Sequence, residues 1–151
     1  MQTPVPREPV PTEPSAVTIA EVEAYLASVD MRDVDVKIDD LAANFARVRR
    51  IYDVANTRPG GYISGPTMMT LVDLAVWVAV FTRAGISPMA VTWELKINFL
   101  RPAIGKDLVA DAHLHKFGRL SYASCDLYLA GEPERLVAHA TATYAVPQDE
   151  Q

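Results

Sequence analysis

Between Gly65 and Gly85 the chain reads GPTMMTLVDLAVWVAVFTRAG, an apolar run whose one acid is Asp73. From Thr67 to Phe81 apolar side chains occur around the whole helical circumference, so a helix here must be covered on all sides. A carboxylate in such surroundings is the type of group that serves as a general base or nucleophile. The run opens with Gly65-Pro66, which leaves the Gly65 N–H pointing out of a positive helix end, where it can polarise a carbonyl. Eight residues separate Gly65 from Asp73, about 12 Å along one helix at 1.5 Å per residue. A base and an oxyanion donor must each lie about 3 Å from the reacting group. One helix therefore does not supply both. Two antiparallel helices in a dimer would, with Gly65 of one subunit meeting Asp73 of the other at two equivalent sites.

Two plainer readings of the run are open. It is long enough to span a bilayer, but a central Asp is among the costlier residues at that depth, and the flanks are Gly/Pro/Ser turns rather than basic loops. Asp73 could also serve only to cap a neighbouring backbone. Other candidates are weaker. Asp111, His113 and His115 share a strand face at spacing two; they could hold a metal, although alternating residues facing solvent explain the spacing more simply, and no metal is expected. His139 stands alone and reads as structural. Ser121 and Ser124 lack a nucleophile-elbow motif, and no phosphate-cradling glycine motif is present.

The elements that must hold Asp73 follow from periodicity. At 151 residues the chain is one domain with a core of its own. With 14 Lys+Arg against 19 Asp+Glu, its net charge is −5; the only basic cluster is Arg47, Arg49 and Arg50, which argues against nucleic acid as a partner. A single cysteine, Cys125, excludes an internal disulfide framework, fits a cytoplasmic location and, in a strand, reads as inert packing. Pro4, Pro6, Pro9, Pro11 and Pro14 make residues 1–15 a disordered or extended arm rather than a signal peptide, leaving 16–151 as the domain. Thr18 to Glu21 forms a capping box ahead of Ile19, Val22, Leu26 and Val29 at helical spacing. Val34, Val36 and Ile38 alternate as a strand, Asp39-Asp40 reads as a turn, and Asn44 to Ile51 as a second strand.

After Pro88 the pattern is all strand. Val91, Trp93, Leu95, Ile97 and Phe99 alternate with Thr92, Glu94, Lys96 and Asn98. Strands at Leu108 to Lys116, Leu120 to Leu129 and Leu136 to Val146 follow, joined by short turns at Phe117-Gly118-Arg119 and Gly131 to Glu134. Short turns between long strands imply an antiparallel sheet, which covers the helix most economically by wrapping around it: an α+β fold.

Three segments, GPTMMTLVDLA at Gly65 to Ala75, VTWELKINFLRPA at Val91 to Ala103 and LVAHATATYAV from Leu136, together resemble the hotdog-fold thioesterases, within them the phenylacetyl-CoA thioesterase-like (PaaI-like) branch. The resemblance runs from about Val34 to Val146. It implies a long central helix in a curved antiparallel sheet, homodimers with joined sheets that often pair into homotetramers, and hydrolysis of acyl-CoA thioesters without a cofactor. Asp73 falls on the family's helix acid, general base or nucleophile, and Gly65 on the glycine whose N–H polarises the thioester carbonyl. Thr92 falls where relatives carry a Ser or Thr that orients the acid or water, and Asn56 resembles an Asn that helps bind carbonyl or water. Ser64 departs from the family pattern, which has histidine there. Serine can donate a hydrogen bond but carries no charge. Arg101, Lys116 and Arg119 are candidate phosphate partners for coenzyme A, and Met69 and Trp77 candidate acyl-pocket residues, otherwise core. Two rivals share the fold: a non-catalytic module that binds acyl or aromatic ligands, made credible by Ser64, and a hydratase, disfavoured because no histidine lies near Asp73.

Overall fold

The computed structural model describes residues 7–29 and 35–148. Helix α1 (Ile19–Ser28) starts as its capping box requires, with the Thr18 hydroxyl accepting the Glu21 N–H at 3.1 Å. Strands β1 (Val36–Ala42) and β2 (Phe45–Arg50) form a hairpin, and a single 3-10 turn (Val54–Asn56) leads toward helix α2 (Gly65–Ala84). Four strands follow: β3 (Val91–Phe99), β4 (Leu108–Lys116), β5 (Leu120–Leu129) and β6 (Leu136–Ala145). The expected strand start at Val34 and the arm's residues 1–6 lie outside the described residues.

All six strands join in one antiparallel sheet of order β1-β2-β4-β5-β6-β3, so β1 and β3 are its edges. One face is lined with small side chains. Ala46, Ala110, Ala112, Ala123, Ala140 and Ala142 are all buried there, which lets α2 lie close to the strands and fill the space with Leu71, Val72, Val76 and Phe81. At its C-terminal end α2 stops on Gly85, whose φ of 83° suits glycine and whose N–H donates to the Phe81 carbonyl at 2.9 Å. The helix is long and apolar enough to cross a membrane, but the sheet covers most of it.

Several expectations need correction. The helix is not covered all round: Pro66, Met69, Thr70 and Asp73, spaced by three and four residues, form a stripe that the chain's own sheet leaves open. Asp39-Asp40 is not a turn. Strand β1 runs through both residues with a bulge between Ile38 and Asp40, and Asp39 pairs with Arg49 at 2.9 Å. The reversal comes at Ala43-Asn44, where Asn44 takes a φ of 68°, a conformation asparagine tolerates. Strand β3 does not keep strict period two. Thr92 opposes Tyr144 and Glu94 opposes Thr143, leaving Trp93 as the extra residue of a bulge. Thr92 therefore points to the helix side together with Leu95 and Ile97, while Trp93 is 67% exposed.

Residues 7–15 have no regular structure, yet they are fastened to the body. The Glu13 carbonyl accepts the Ala43 N–H at 2.9 Å, and Arg7 reaches Asp111 across the sheet face opposite α2 at 2.5 Å. Asp111 also holds Arg47 through two bonds of 2.7 and 3.1 Å and accepts the Tyr128 hydroxyl at 3.1 Å. Asp111 and His113 do not face solvent, as their alternation suggested; the arm and the Arg47 side of β2 cover them. His113 packs at a tilt against Phe45, and its burial holds the imidazole below its ordinary value of 6.5, against the opposing pull of Glu8 at 3.7 Å. His139 is not alone either: its Nδ1 lies 2.6 Å from the Asp126 carboxylate. Among the described residues, no three His, Cys, Asp or Glu side chains converge as metal ligands would. Cys125 is buried with its thiol pushed well up by burial, which makes it unreactive.

Candidate active site

Asp73 sits midway along α2 on the open stripe, half-buried, under the bulge of β3. Two hydroxyls converge on one of its carboxylate oxygens. Thr92 Oγ1 donates to Asp73 Oδ1 at 2.6 Å, and the Tyr144 hydroxyl donates to the same Oδ1, while also lying 2.8 Å from the Asp73 carbonyl oxygen. Asp73 Oδ2 accepts no hydrogen bond among the described residues. Tyr144 is 3% exposed; burial and the adjacent Asp73 carboxylate both push its phenol well above the usual 10, so it stays protonated and donates.

The other end of the chemistry is the start of α2. Ser64 is the helix cap, its hydroxyl accepting the Thr67 N–H at 3.3 Å and pairing with the Thr67 hydroxyl at 2.9 Å. Serine thus has a structural reason to stand here. Gly65 is the first helical residue, and its N–H makes no hydrogen bond among the described residues. It opens onto a groove of about 500 Å³ lined by Arg58, Tyr62, Met68, Phe99, Leu100 and Arg101. The Phe99 ring lies so close that a Cβ at position 65 would stand 3.2 Å from its tip. Arg101 anchors itself by donating to the Leu136 carbonyl at 2.7 Å.

The structure thus brings together Asp73 with Thr92, and Gly65 with Ser64 and Arg101. Asn56 ends the 3-10 turn, exposed, and borders a small cleft shared with Ile63 and Thr67 beside the helix start. Met69 is 41% exposed on the same stripe as Asp73, one turn before it. Trp77, half-buried one turn after Asp73, packs edge-on against Tyr25 and Phe81 and donates its indole N–H to the Ser87 carbonyl at 3.1 Å. Lys116 and Arg119 flank the β4–β5 turn near the far end of α2, where Arg83 stacks on Phe117. Neither borders the groove at Gly65. The sequence reading missed Tyr144 and Arg58. Tyr144 lies on the alternating face of β6 that includes Ala138, Ala140 and Ala142, a position that reads as core; its hydroxyl in an otherwise small-residue row was the available signal.

The model of the thioesterase superfamily matches residues 60–126, the span from the loop before α2 into β5. A thioesterase candidate from Silicibacter sp. TM1040 has a crystal structure with 33% identity, covering 88% of this chain and 94% of its own, at a TM-score of 0.79. The chain is a member of the thioesterase superfamily. A thioesterase family protein from Silicibacter pomeroyi is similar at 29% identity, covering 84% of this chain and 97% of its own, with a TM-score of 0.73. The Escherichia coli PaaI protein of the phenylacetic acid degradation operon shares the fold at 18% identity, covering 85% and 91%, with a TM-score of 0.72. A comparison with curated proteins gives no match. The six-stranded antiparallel sheet around α2 is the hotdog fold of these thioesterases, and thioester hydrolysis is the chemistry of the superfamily.

Proposed function

We propose that the chain hydrolyses acyl-CoA thioesters in the cytoplasm as a homodimer, or a homotetramer built from dimers, with each site shared between two α2 helices. The observation that carries this reading is the Asp73 carboxylate, held by two hydroxyls at Oδ1 and open at Oδ2 on a stripe of helix that the chain's own sheet leaves bare. In this reading the thioester carbonyl oxygen sits on the Gly65 N–H of one subunit. Asp73 of the other takes a proton from water at Oδ2 as the water oxygen bonds to the carbonyl carbon. The C–S bond then breaks and the leaving thiolate receives the proton, so the acid is regenerated and no cofactor is consumed. Direct attack by Oδ2 on the carbonyl carbon, followed by hydrolysis of the anhydride, uses the same groups. Arg58 and Arg101 at the groove beside Gly65 support an anionic thiol carrier such as coenzyme A.

The test combines a thiol-release assay over short, medium, long and aryl acyl-CoAs with one variant. Asn at position 73 can still accept both hydroxyl bonds but has lost charge and basicity, so Asp73→Asn keeps its melting temperature while kcat/KM falls on the order of 10²–10⁴. Light scattering should show a dimer or larger in every active preparation. A folded Asp73→Asn protein with wild-type turnover, or a fully active monomer, would sink the reading. Binding of the panel without thiol release would support the ligand-binding module instead, favoured to that extent by Ser64's commitment to the helix cap.

A further inference from the structure

Tyr144 stands in β6, directly opposite Thr92 of β3, and both side chains point at α2. The edge strand β3 and its neighbour β6 each contribute one hydroxyl to Asp73. The two differ in setting: Thr92 is exposed, whereas Tyr144 is 3% exposed and additionally lies 2.8 Å from the Asp73 backbone carbonyl. A side chain that contacts both the backbone and the carboxylate of one residue fixes its rotamer as well as its charge.

We propose that Tyr144 is a positioning residue for the reaction: it pins Asp73 Oδ1 against the core, so that Oδ2 alone is presented to water or thioester. This rests on Asp73 being the acid of the proposed mechanism. Rotation about the last bond of an aspartate is soft, so an unpinned carboxylate would present either oxygen at varying angles. Thr92 by itself, on an exposed edge strand, is a looser clamp. The buried phenol is held protonated, so the clamp does not open in the working pH range. The other charged groups nearby do not interfere. Glu94 and Lys96 of β3 alternate with Leu95 and Ile97 and stand on the opposite sheet face, and Arg83, the one other charged residue of α2, is ten residues further along the helix.

The experiment compares Tyr144→Phe, Asp73→Asn and the double variant. Phenylalanine keeps the buried ring and removes only the hydroxyl. Loss of one hydrogen bond to a charged group lowers kcat by roughly 10- to 100-fold, with KM within about twofold, because the hydroxyl touches the acid and not the substrate. The double variant is no slower than Asp73→Asn alone. Site-specific 4-fluorophenylalanine at position 144 fills the space of the hydroxyl without a donor and should show the same loss of kcat with KM within about twofold; this arm decides the matter if Tyr144→Phe does not fold. Wild-type kcat in folded Tyr144→Phe, or in the 4-fluorophenylalanine protein, overturns the role while Asp73→Asn remains inactive. A further loss in the double variant also overturns it, by placing the phenol on the substrate. Wild-type turnover in Asp73→Asn overturns the underlying mechanism instead.

Discussion

Replacing Gly65 by proline removes the backbone N–H on which the oxyanion assignment depends and leaves the helix start in place. Position 65 is the first residue of α2, where the fixed φ of proline fits and its missing donor costs no intrahelical bond. Ser64 before it is already extended, at φ −77° and ψ 157°, the conformation a following proline demands. The new ring does meet a neighbour. A Cβ at position 65 would lie 3.2 Å from Phe99 Cζ and 3.5 Å from Cε1, so the ring tip must give by a few tenths of an ångström. Phe99 is 52% exposed and can move. Gly65→Ala is the control, because it makes the same Phe99 contact and places the same Cβ before Pro66 while keeping the N–H. Removing one oxyanion donor costs on the order of 10²–10³ in kcat, about 2.7–4 kcal/mol of transition-state stabilisation. A thiol-release assay should therefore show the alanine variant within about tenfold of wild type and the proline variant about 10²–10³ below alanine. A stability difference of about 1 kcal/mol between them would move the melting temperature by only about 2–4 °C. Equal kcat/KM in two folded variants would refute the oxyanion role of Gly65.

Asp111→Ala strips Arg47 and Arg7 of their shared carboxylate; because Arg47 is a quarter exposed, the cost should fall near the lower end for a buried pair, about 3 kcal/mol, read by denaturant unfolding. Deleting residues 1–15 removes the Arg7 and Glu13 contacts and should lower the melting temperature by several degrees, at about 2–4 °C per kcal/mol, with an unchanged value showing that the arm contributes nothing. Ser64→Ala and Ser64→His both lose the cap and about 1 kcal/mol of stability, while turnover falls less than tenfold; a loss as complete as that of Asp73→Asn would make serine the nucleophile. Burial depresses His113 below 6.5, so its contribution to stability is fully present above that pH and is lost as the pH falls below it. His113→Gln should flatten the decline of melting temperature just under pH 6.5, and an unaltered decline would assign it to other groups.

What could be read from the sequence was what periodicity and caps encode. The run from Gly65 to Ala84 is apolar, opens with Gly-Pro and stops at a glycine, so its ends were legible to the residue. Strands β4 and β5 were equally clear because each is bounded by a tight turn. Asp39-Asp40 misled because turn-forming residues are also tolerated at a bulge on an edge strand, where Asp39 gains Arg49 as a partner. The burial of Asp111 was hidden because its cover, Arg7 and Arg47, comes from positions 104 and 64 residues away. Tyr144 was hidden for a related reason: a tyrosine in an alternating strand reads as core whether or not its hydroxyl has work. The groove beside Gly65 needs Phe99 folded back over the helix start, a contact no local pattern announces.

The bulge in β3 splits that strand into two phases with separate duties. Upstream of it, phase is set by the carboxylate, since Thr92 must turn toward Asp73; downstream it is set by oil, since Leu95 and Ile97 must turn toward the core. An uninterrupted strand could not satisfy both, because residues 92 and 95 are an odd number apart. Trp93, which has no paired position, absorbs the mismatch and belongs to neither. The length of β3 is therefore a variable in its own right. Removing Trp93 would leave Thr92 and Leu95 both facing inward, whereas removing a residue between Leu95 and Phe99 would turn one end of the strand inside out. Edits to this edge are thus better judged by parity than by the chemistry of the residue lost.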